Sequence, residues 1–430
     1  MIERPRGTRD FDPAATAKHR HVEGILRRAA ESFGFREILT PTLENLELFT
    51  AKSGPGIVGE LYTFKDKGGR DVALRPEFTA SVIRFYLSEL RSLPKPLKLF
   101  SIGNAFRYEE PQKGRYREFF QFNAEILGAS SLEADAELLA LALTALRDVG
   151  LKQTEVRVGH IGMLRGFLRE AGNRQAAILH ALDKKDFARL SAELSAAGLS
   201  GVEETLRTVV GLKGGPEVLE EAARLLGGDA AAWVDYLRRL RDRLSLYGLA
   251  DAVTFDLGVV RGLDYYTGMV FEIDSPNLGA EKQLGGGGGY TLAELLGGEP
   301  VASTGFAIGI DRVVLAAEAE GVPMAPPKLD VYVIPVGEPS RAAALGIVQE
   351  LRAAGFRVDL DLVGRGPSKN LDFANAVGAR LAVFVGEKEL AGGKVSLKDM
   401  GTGEQVELQR EDLRGEIEAR LRSQPAPPGP

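Results

Sequence analysis

Four basic side chains fall within the short stretch 106–119, and their types and spacing suit a grip on phosphate: Arg107, Lys113, Arg115 and Arg117. A guanidinium group carries its N–H donors in a fork that matches two phosphate oxygens at once. Basic residues at a turn are more often simply solvated, so a phosphate-binding role requires a polar pocket beside them.

Two strands must position this basic stretch. Residues 97–108 and 118–126 predict an antiparallel hairpin whose long tip carries the basic side chains. Because side chains alternate along a strand, three polar residues share one face of the second strand: Gln121, Asn123 and Glu125. The pattern therefore predicts a polar pocket directly behind the basic tip.

The chain before the hairpin predicts one helix and one strand. Residues 15–33 carry apolar side chains at helical spacing, and Gly34 follows where a C-terminal cap would lie. The stretch 35–41 is typical of a strand that ends at Pro41, because proline lacks the N–H that a strand ladder needs. Pro41 therefore marks an edge or an interface.

The chain after the hairpin predicts a helical module and then more sheet. Residues from about 170 to 247 are rich in Ala, Leu, Glu and Arg at helical periodicity, and sheet-like sequence follows at 253–273. The glycine run 285–289 forms a floppy loop or lets the backbone approach a ligand closely, and we favour close approach. Residues 306–309 predict a strand that leads into a helix from Asp311.

Proline content marks the domain boundaries. We expect a first domain over 1–320 with a helical insertion at about 170–247, and a proline-rich linker over 321–328. A second domain follows over 329–422, where strands alternate with helices as in a parallel or mixed α/β sheet. The tail 423–430 is expected to be disordered.

The composition is that of a globular protein with two or three domains, since it has 430 residues, 44% of them hydrophobic. The absence of cysteine excludes disulfides and thiolate chemistry, and the four histidines lack zinc spacing, so we expect no structural metal. A net charge of -6 argues against non-specific nucleic-acid binding. No apolar run or N-terminal leader indicates a membrane or export, so we expect a cytoplasmic protein.

Three segments resemble motifs of class II aminoacyl-tRNA synthetases, and of histidyl-tRNA synthetases in particular. Residues 106–119 resemble the second class II motif in its histidyl form, and residues 304–312 are similar to the third. Residues 260–268, Val-Arg-Gly-Leu-Asp-Tyr-Tyr-Thr-Gly, resemble a peptide characteristic of the histidyl family. Residues 6–10 and the strand ending at Pro41 resemble the family's N-terminal and dimer-interface segments, so the resemblance spans nearly the whole chain.

The resemblance implies an α+β catalytic domain with a class II antiparallel sheet and flanking helices, a helical insertion, and a C-terminal α/β anticodon-binding domain. It also implies a histidine–tRNA ligase, which activates L-histidine with ATP to histidyl-adenylate and pyrophosphate. The enzyme then transfers histidine to the 3′-terminal adenosine of tRNA(His). A homodimer is implied, and Mg²⁺ is expected to accompany ATP through phosphate oxygens and waters.

Individual roles also come from the resemblance. Arg107 would hold the α-phosphate, Arg115 and Arg312 the outer phosphates, and Arg261 would stabilise the charge that develops during transfer. Arg107 and Arg261 are thus the catalytic candidates. The residues expected to bind histidine are Glu77, Thr79, Gln121, Glu125, Arg261, Tyr265 and Tyr266.

Within this histidine-binding set, Glu77 and Gln121 match the family's ligands for the substrate ammonium, and Glu125 and Tyr266 match the residues that read the imidazole. Each candidate also has a plainer interpretation. In the plainer interpretation, Arg261 would be a surface arginine, Tyr265 and Tyr266 would pack in a core, and Glu77 would be an acidic residue in the first turn of a helix.

The sequence departs from the family's commonest pattern at one point. That pattern reads Gly-Gly-Arg-Tyr-Asp, whereas this chain has Gly288-Gly289-Tyr290-Thr291, which leaves the role of Tyr290 open. Three other functions remain as alternatives: a regulatory subunit of ATP phosphoribosyltransferase, a class II synthetase for another amino acid, and a tRNA-binding module with an inactive catalytic domain. The regulatory subunits typically lack both the anticodon-binding domain and the Arg-Gly-Leu-Asp-Tyr-Tyr segment.

Overall fold

A computed structural model describes residues 2–53, 55–129, 131–227, 230–259, 266–324 and 328–423. The chain divides into two units, one up to Pro323 and one from Met324 onward. Each unit has its own sheet.

The first unit is built on nine paired strands in the order β1-β5-β6-β12-β11-β10-β7-β9-β8. Their bounds are β1 (Arg36–Glu37), β5 (Leu97–Phe106), β6 (Glu118–Leu127), β7 (Glu155–His160), β8 (Lys213–Gly214), β9 (Val253–Asp256), β10 (Tyr266–Asp274), β11 (Gln283–Tyr290) and β12 (Ser303–Gly309). A small separate sheet has the order β2-β4-β3, with β2 (Leu43–Asn45), β3 (Thr63–Lys65) and β4 (Asp71–Leu74).

The large sheet is mixed. Its six central strands, from β5 to β7 in the sheet order, pair antiparallel, whereas β1 with β5 and β7 with β9 pair parallel. The antiparallel sheet expected from the resemblance is therefore confirmed for the centre of the sheet. The glycine run lies in β11, a fully paired strand, so the floppy-loop alternative for it is wrong.

The helices of the first unit are α1 (Pro13–Ser32), α2 (Glu47–Ser53), α3 (Thr79–Phe85), α4 (Leu132–Val149), α5 (Ile161–Phe167), α6 (Gln175–Asp183), α7 (Phe187–Ala196), α8 (Glu203–Gly211), α9 (Glu217–Leu226), α10 (Ala231–Leu246) and α11 (Ile310–Ala319). Helix α1 begins after Asp12, whose carboxylate accepts the Ala15 N–H at 2.7 Å. The region predicted as a helical insertion contains α6 to α10 and β8.

The predicted hairpin is formed by β5 and β6, paired in register from Leu97 opposite Leu127 to Phe106 opposite Glu118. Phe122 points away from the polar face and packs edge-to-face against Phe100 and Phe306 at 6.2 and 5.4 Å between ring centroids. Burial of these rings fixes which face of β6 presents its polar side chains.

The second unit has a five-stranded mixed sheet in the order β14-β13-β15-β16-β17. Its elements are β13 (Val331–Val336), α12 (Ser340–Ala353), β14 (Val358–Leu360), α13 (Pro367–Ala376), β15 (Leu381–Gly386), α14 (Glu387–Ala391), β16 (Lys394–Asp399), β17 (Gln405–Gln409) and α15 (Leu413–Ser423). The α/β prediction is confirmed, with three parallel strands and two antiparallel additions.

One predicted strand is shorter than expected, and two other predictions fall partly outside the described residues. The strand predicted over 35–41 contains only Arg36–Glu37, because β1 is an edge strand that pairs with β5 alone. The predicted tail begins inside α15, which ends at Ser423, and residues 424–430 lie outside the described residues. Residues 325–327 of the predicted linker also lie outside them.

Candidate active site

A cavity of about 360 Å³ opens on the polar face of the hairpin, within the first unit. Seven of the predicted site residues line it: Glu77, Thr79, Arg107, Arg115, Gln121, Tyr266 and Arg312. Glu125 lies behind this lining, 1% exposed. Arg261 and Tyr265 lie outside the described residues.

Glu125 is held by three side chains from three different elements. One carboxylate oxygen accepts hydrogen bonds from the Thr79 hydroxyl at 2.7 Å and the Asn123 amide at 3.0 Å, and the other accepts from the Tyr290 hydroxyl at 2.8 Å. Helix α3, β6 and β11 therefore converge on one buried carboxyl group.

Burial dominates the ionisation of this group. Loss of hydration raises the pKa of Glu125 to about 7, against the opposing effect of its three hydrogen-bond donors, and the nearby charge of Glu77 raises the pKa further. A carboxyl group whose pKa lies near 7 can form a hydrogen bond with a ring N–H or an ion pair with an imidazolium.

Glu77 both caps a helix and faces the cavity. Its carboxylate accepts the backbone N–H of Thr79 at 2.6 Å and of Ala80 at 3.1 Å, which satisfies two donors at the start of α3. The plainer interpretation, in which Glu77 is an acidic residue at a helix terminus, is therefore correct. The same carboxylate belongs to the cavity wall, so it adds negative charge there.

The basic tip brings two arginines to one carboxylate. The Arg115 guanidinium lies 3.0 Å from one oxygen of Glu109, and the Arg107 guanidinium lies 3.9 Å from the other. Arg107 also donates to the carbonyl of Pro76 at 3.1 Å and lies over the Phe119 ring at 5.2 Å. Both arginines are about two-fifths exposed at the mouth of the cavity, where an anion can reach them.

Arg312 approaches the same mouth from the first turn of α11. Its guanidinium donates to the carbonyl of Gly114 at 2.8 Å and to the carbonyl of Gln283 at 2.6 Å. These bonds tie α11 to the hairpin tip and to the start of β11. The guanidinium groups of Arg107, Arg115 and Arg312 thus all belong to the cavity wall, which also contains Glu77.

Gly305 makes the space that Glu125 occupies. A Cβ at this position on β12 would lie 1.6 Å from a carboxylate oxygen of Glu125, which no packing tolerates. Gly305 pairs directly with Glu125 across β12 and β6, so the contact follows from the register of the sheet. A side chain at position 305 and the present position of Glu125 are mutually exclusive.

Sequence analysis did not assign site roles to Asn123, Tyr290, Gly305 or Glu109, although all four contact predicted site residues. The position of Asn123 on the predicted polar face of β6 was the feature from which its role in the site could have been predicted. Tyr290 sits at the end of the glycine run, but 165 residues separate it from Glu125. Only the order of the strands brings the two together.

The described residues contain no group of three or more His, Asp or Glu side chains arranged to hold a metal ion. Among the same residues, no helix is both long and apolar enough to cross a lipid bilayer.

The chain is similar to known proteins along nearly its whole length. A family model for histidyl-tRNA synthetase matches residues 7–313, and one for an anticodon binding domain matches residues 330–420. The histidine–tRNA ligase of Archaeoglobus fulgidus is 43% identical over 414 residues, covering 96% of this chain and 98% of its relative.

Two solved structures are also similar. Histidyl-tRNA synthetase from Nostoc sp. PCC 7120 superposes with a TM-score of 0.81 at 25% identity, covering 98% of this chain and all of that one. A Bacillus halodurans C protein described as an ATP phosphoribosyltransferase regulatory subunit/histidyl-tRNA synthetase superposes with a TM-score of 0.77 at 27% identity, covering 90% of this chain and 98% of that one.

Proposed function

The chain belongs to the histidyl-tRNA synthetase family, and from this premise we propose a division of roles among the residues of the cavity. The chain is an ATP-dependent histidine–tRNA ligase. It joins histidine to tRNA(His) after activating it as the adenylate. The observation that carries the residue-level proposal is the buried Glu125 carboxyl behind a cavity whose wall contains Glu77 and three arginines. We call the part of the wall formed by Arg107, Arg115 and Arg312 the basic end, and the part formed by Glu77, together with the buried Glu125, the acidic end.

The acidic end of the cavity binds histidine. Glu125 and Tyr266 hold the two ring nitrogens, and Glu77 with Gln121 holds the ammonium. Two carboxylates suit a substrate that carries an ammonium and a basic ring. An amino acid without a ring N–H would bring no further donor to Glu125 beside Thr79, Asn123 and Tyr290, and that loss discriminates more strongly than shape alone.

Thr79 and Tyr265 complete the wall of the histidine subsite. Thr79 supports the proposal because its hydroxyl donates to Glu125 while its backbone N–H donates to Glu77. One residue thereby links the two carboxylates. Tyr265 is proposed on the family resemblance of the segment 260–268, which continues into Tyr266 on the cavity wall.

The basic end binds ATP. Arg107 holds the α-phosphate, and Arg115 with Arg312 holds the outer phosphates. The substrate carboxylate attacks the α-phosphorus and pyrophosphate leaves, so negative charge accumulates where guanidinium groups already point. Arg261 stabilises the developing charge during transfer, again on the resemblance of its segment. The residues act by position and electrostatics, without a covalent enzyme intermediate.

Mg²⁺ is proposed to arrive with ATP. The cavity wall offers carboxylate oxygens such as those of Glu109, which already pairs with Arg115, so the donor set fits a cation carried mainly on phosphate oxygens and waters.

The assembly is proposed to be a homodimer in the cytoplasm, with tRNA(His) bound partly through the anticodon-binding domain at 330–420. Leu39 supports the dimer, because it is 80% exposed, just after the edge strand β1 and two residues before Pro41. A large apolar side chain at an unpaired sheet edge favours contact with a second copy.

Amino-acid-dependent exchange of pyrophosphate into ATP tests the proposal, with each of the twenty amino acids supplied to purified protein. Exchange with histidine alone, lost in Glu125→Gln, is the expected result. Exchange with another amino acid would mean that the acidic subsite binds a substrate other than histidine. Exchange with none, in folded protein, would favour the regulatory-subunit alternative that the Bacillus halodurans likeness keeps in view.

A further inference from the structure

The N-terminal segment of the chain lies against the outgoing limb of the hairpin tip. The Arg117 N–H donates to the carbonyl of Gly7 at 2.9 Å. Gly7 has φ +84°, and a Cβ there would lie 2.6 Å from the Arg117 Cγ. The backbone is therefore pressed against the hairpin so closely that only glycine fits, which fixes where the following residues lie.

Arg9, two residues later, reaches from this segment to two different elements. Its guanidinium donates to Asp311 Oδ1 at 2.5 Å, and its central carbon lies 3.3 Å from the centroid of the Tyr116 ring. The Arg9 side chain is 24% exposed and that of Asp311 is 4% exposed, so water screens this ion pair only partly. The same guanidinium lies 4.9 Å from the centroid of the Phe11 ring, so two rings and one carboxylate restrict its position.

Both partners of Arg9 adjoin an arginine of the basic end. Tyr116 follows Arg115 in the hairpin tip, and Asp311 precedes Arg312 on α11. The other oxygen of Asp311 accepts the Phe120 N–H at 2.7 Å, so the same carboxylate also holds the base of β6. Arg9 itself does not line the cavity.

The geometry points to Arg9 as a positioning residue for ATP. It holds the limb that carries Arg115 and the helix that carries Arg312 in one fixed relation, so that both guanidinium groups meet the same triphosphate. The partners of Arg9 directly adjoin Arg115 and Arg312, whereas Asp311 contacts β6 at Phe120, five residues before Glu125. Loss of Arg9 therefore disturbs ATP more than histidine. This inference rests on the proposed function of the basic end.

Steady-state pyrophosphate exchange, with ATP and histidine varied separately, tests the inference in Arg9→Met. We expect the KM for ATP to rise about tenfold and the KM for histidine to change less than about twofold, since displacement of a phosphate-binding group by a fraction of an ångström has effects of this order. Arg4→Met is the matched control, because Arg4 lies in the same segment and pairs with the exposed Asp10. It should leave both constants unchanged.

Arg9→Lys covers the case in which Arg9→Met does not fold. It keeps the charge opposite Asp311 and loses the flat face over Tyr116, so the KM for ATP should rise about threefold. A KM for ATP equal to wild type in folded Arg9→Met or Arg9→Lys overturns the inference, as does an equal rise for both substrates, which a general loss of structure would give. Absence of histidine-dependent exchange in the wild type would instead refute the proposed function.

Discussion

Gly305→Ala is the perturbation that addresses the histidine subsite most directly. The added methyl group would lie 1.6 Å from a carboxylate oxygen of Glu125 and 3.0 Å from the carbonyl of Ala124. The backbone carbonyl is fixed by the pairing of β12 with β6, so Glu125 must move until its oxygen is at least about 3.0 Å from the methyl group. A retreat of more than an ångström breaks the 2.8 Å bond from Tyr290.

The expected effect is a fall in kcat/KM for histidine of about a hundredfold, the usual cost of misplacing a substrate-binding group by about 1 Å. The KM for ATP should stay within about twofold of wild type, because the arginines are bound to other elements. Pyrophosphate exchange with each substrate varied measures both constants. Gly24→Ala, in α1, is the matched control, since its Cβ would meet only the flexible end of Arg28 at 3.4 Å.

Combining Gly305→Ala with Glu125→Asp sharpens the test. Aspartate is one methylene shorter, so its carboxylate lies farther from the methyl group of Ala at position 305. If the clash is the cause, the double variant should be no worse than Glu125→Asp alone, a departure from additivity that only contacting residues produce. Wild-type kinetics for histidine in Gly305→Ala, or fully additive losses, would refute the reasoning.

Three further predictions concern charge and association. The pKa of Glu125 is raised from its ordinary value of 4.5 to about 7. Between these two pH values the folded protein keeps the carboxyl proton that the unfolded chain loses, so the stability of the fold decreases as the pH rises through that window. Urea unfolding should therefore find Glu125→Gln more stable than wild type by up to roughly 3 kcal/mol at pH 8 and by little at pH 5, whereas an equal difference at both would contradict it. Arg261→Ala should abolish adenylate formation with an unchanged unfolding midpoint, and unchanged exchange kinetics would remove Arg261 from the mechanism. Leu39→Glu should weaken dimerisation by about 1.5–3 kcal/mol per buried side chain in sedimentation equilibrium, while Leu246→Glu, 79% exposed on α10, should not.

The parts of the site that follow from local pattern were predictable from the sequence. Alternation along 118–126 separates Glu125 from Phe122, and the structure has these two residues on opposite faces of β6. Burial of aromatic side chains on one face forces the polar ones to the other, whatever the neighbouring strands are. The hairpin and the alternating pattern of the second unit are predictable for the same reason.

The contacts between distant strands were not predictable in this way. Tyr290 meets Glu125 only because β11 and β6 both flank β12, and nothing in a single sequence gives the order of strands in a sheet. The shortness of β1 has a similar origin. The stretch 35–41 favours a strand by its pattern, but an edge position with one partner leaves most of it unpaired.

In the role proposed for Glu125, the cost of burying its carboxyl group also allows it to discriminate between substrates. In water a carboxylate would bind any donor weakly, because solvent competes for the same lone pairs. Inside the sheet, Thr79, Asn123 and Tyr290 occupy defined directions around it. They do not lower its pKa to the ordinary value, so the group remains under-compensated. A substrate that brings a ring N–H relieves this deficit, and one that brings only a methyl group or an amide oxygen increases it. If histidine binds at Glu125 as proposed, the burial that lowers stability at neutral pH also favours a substrate whose ring donates a hydrogen bond.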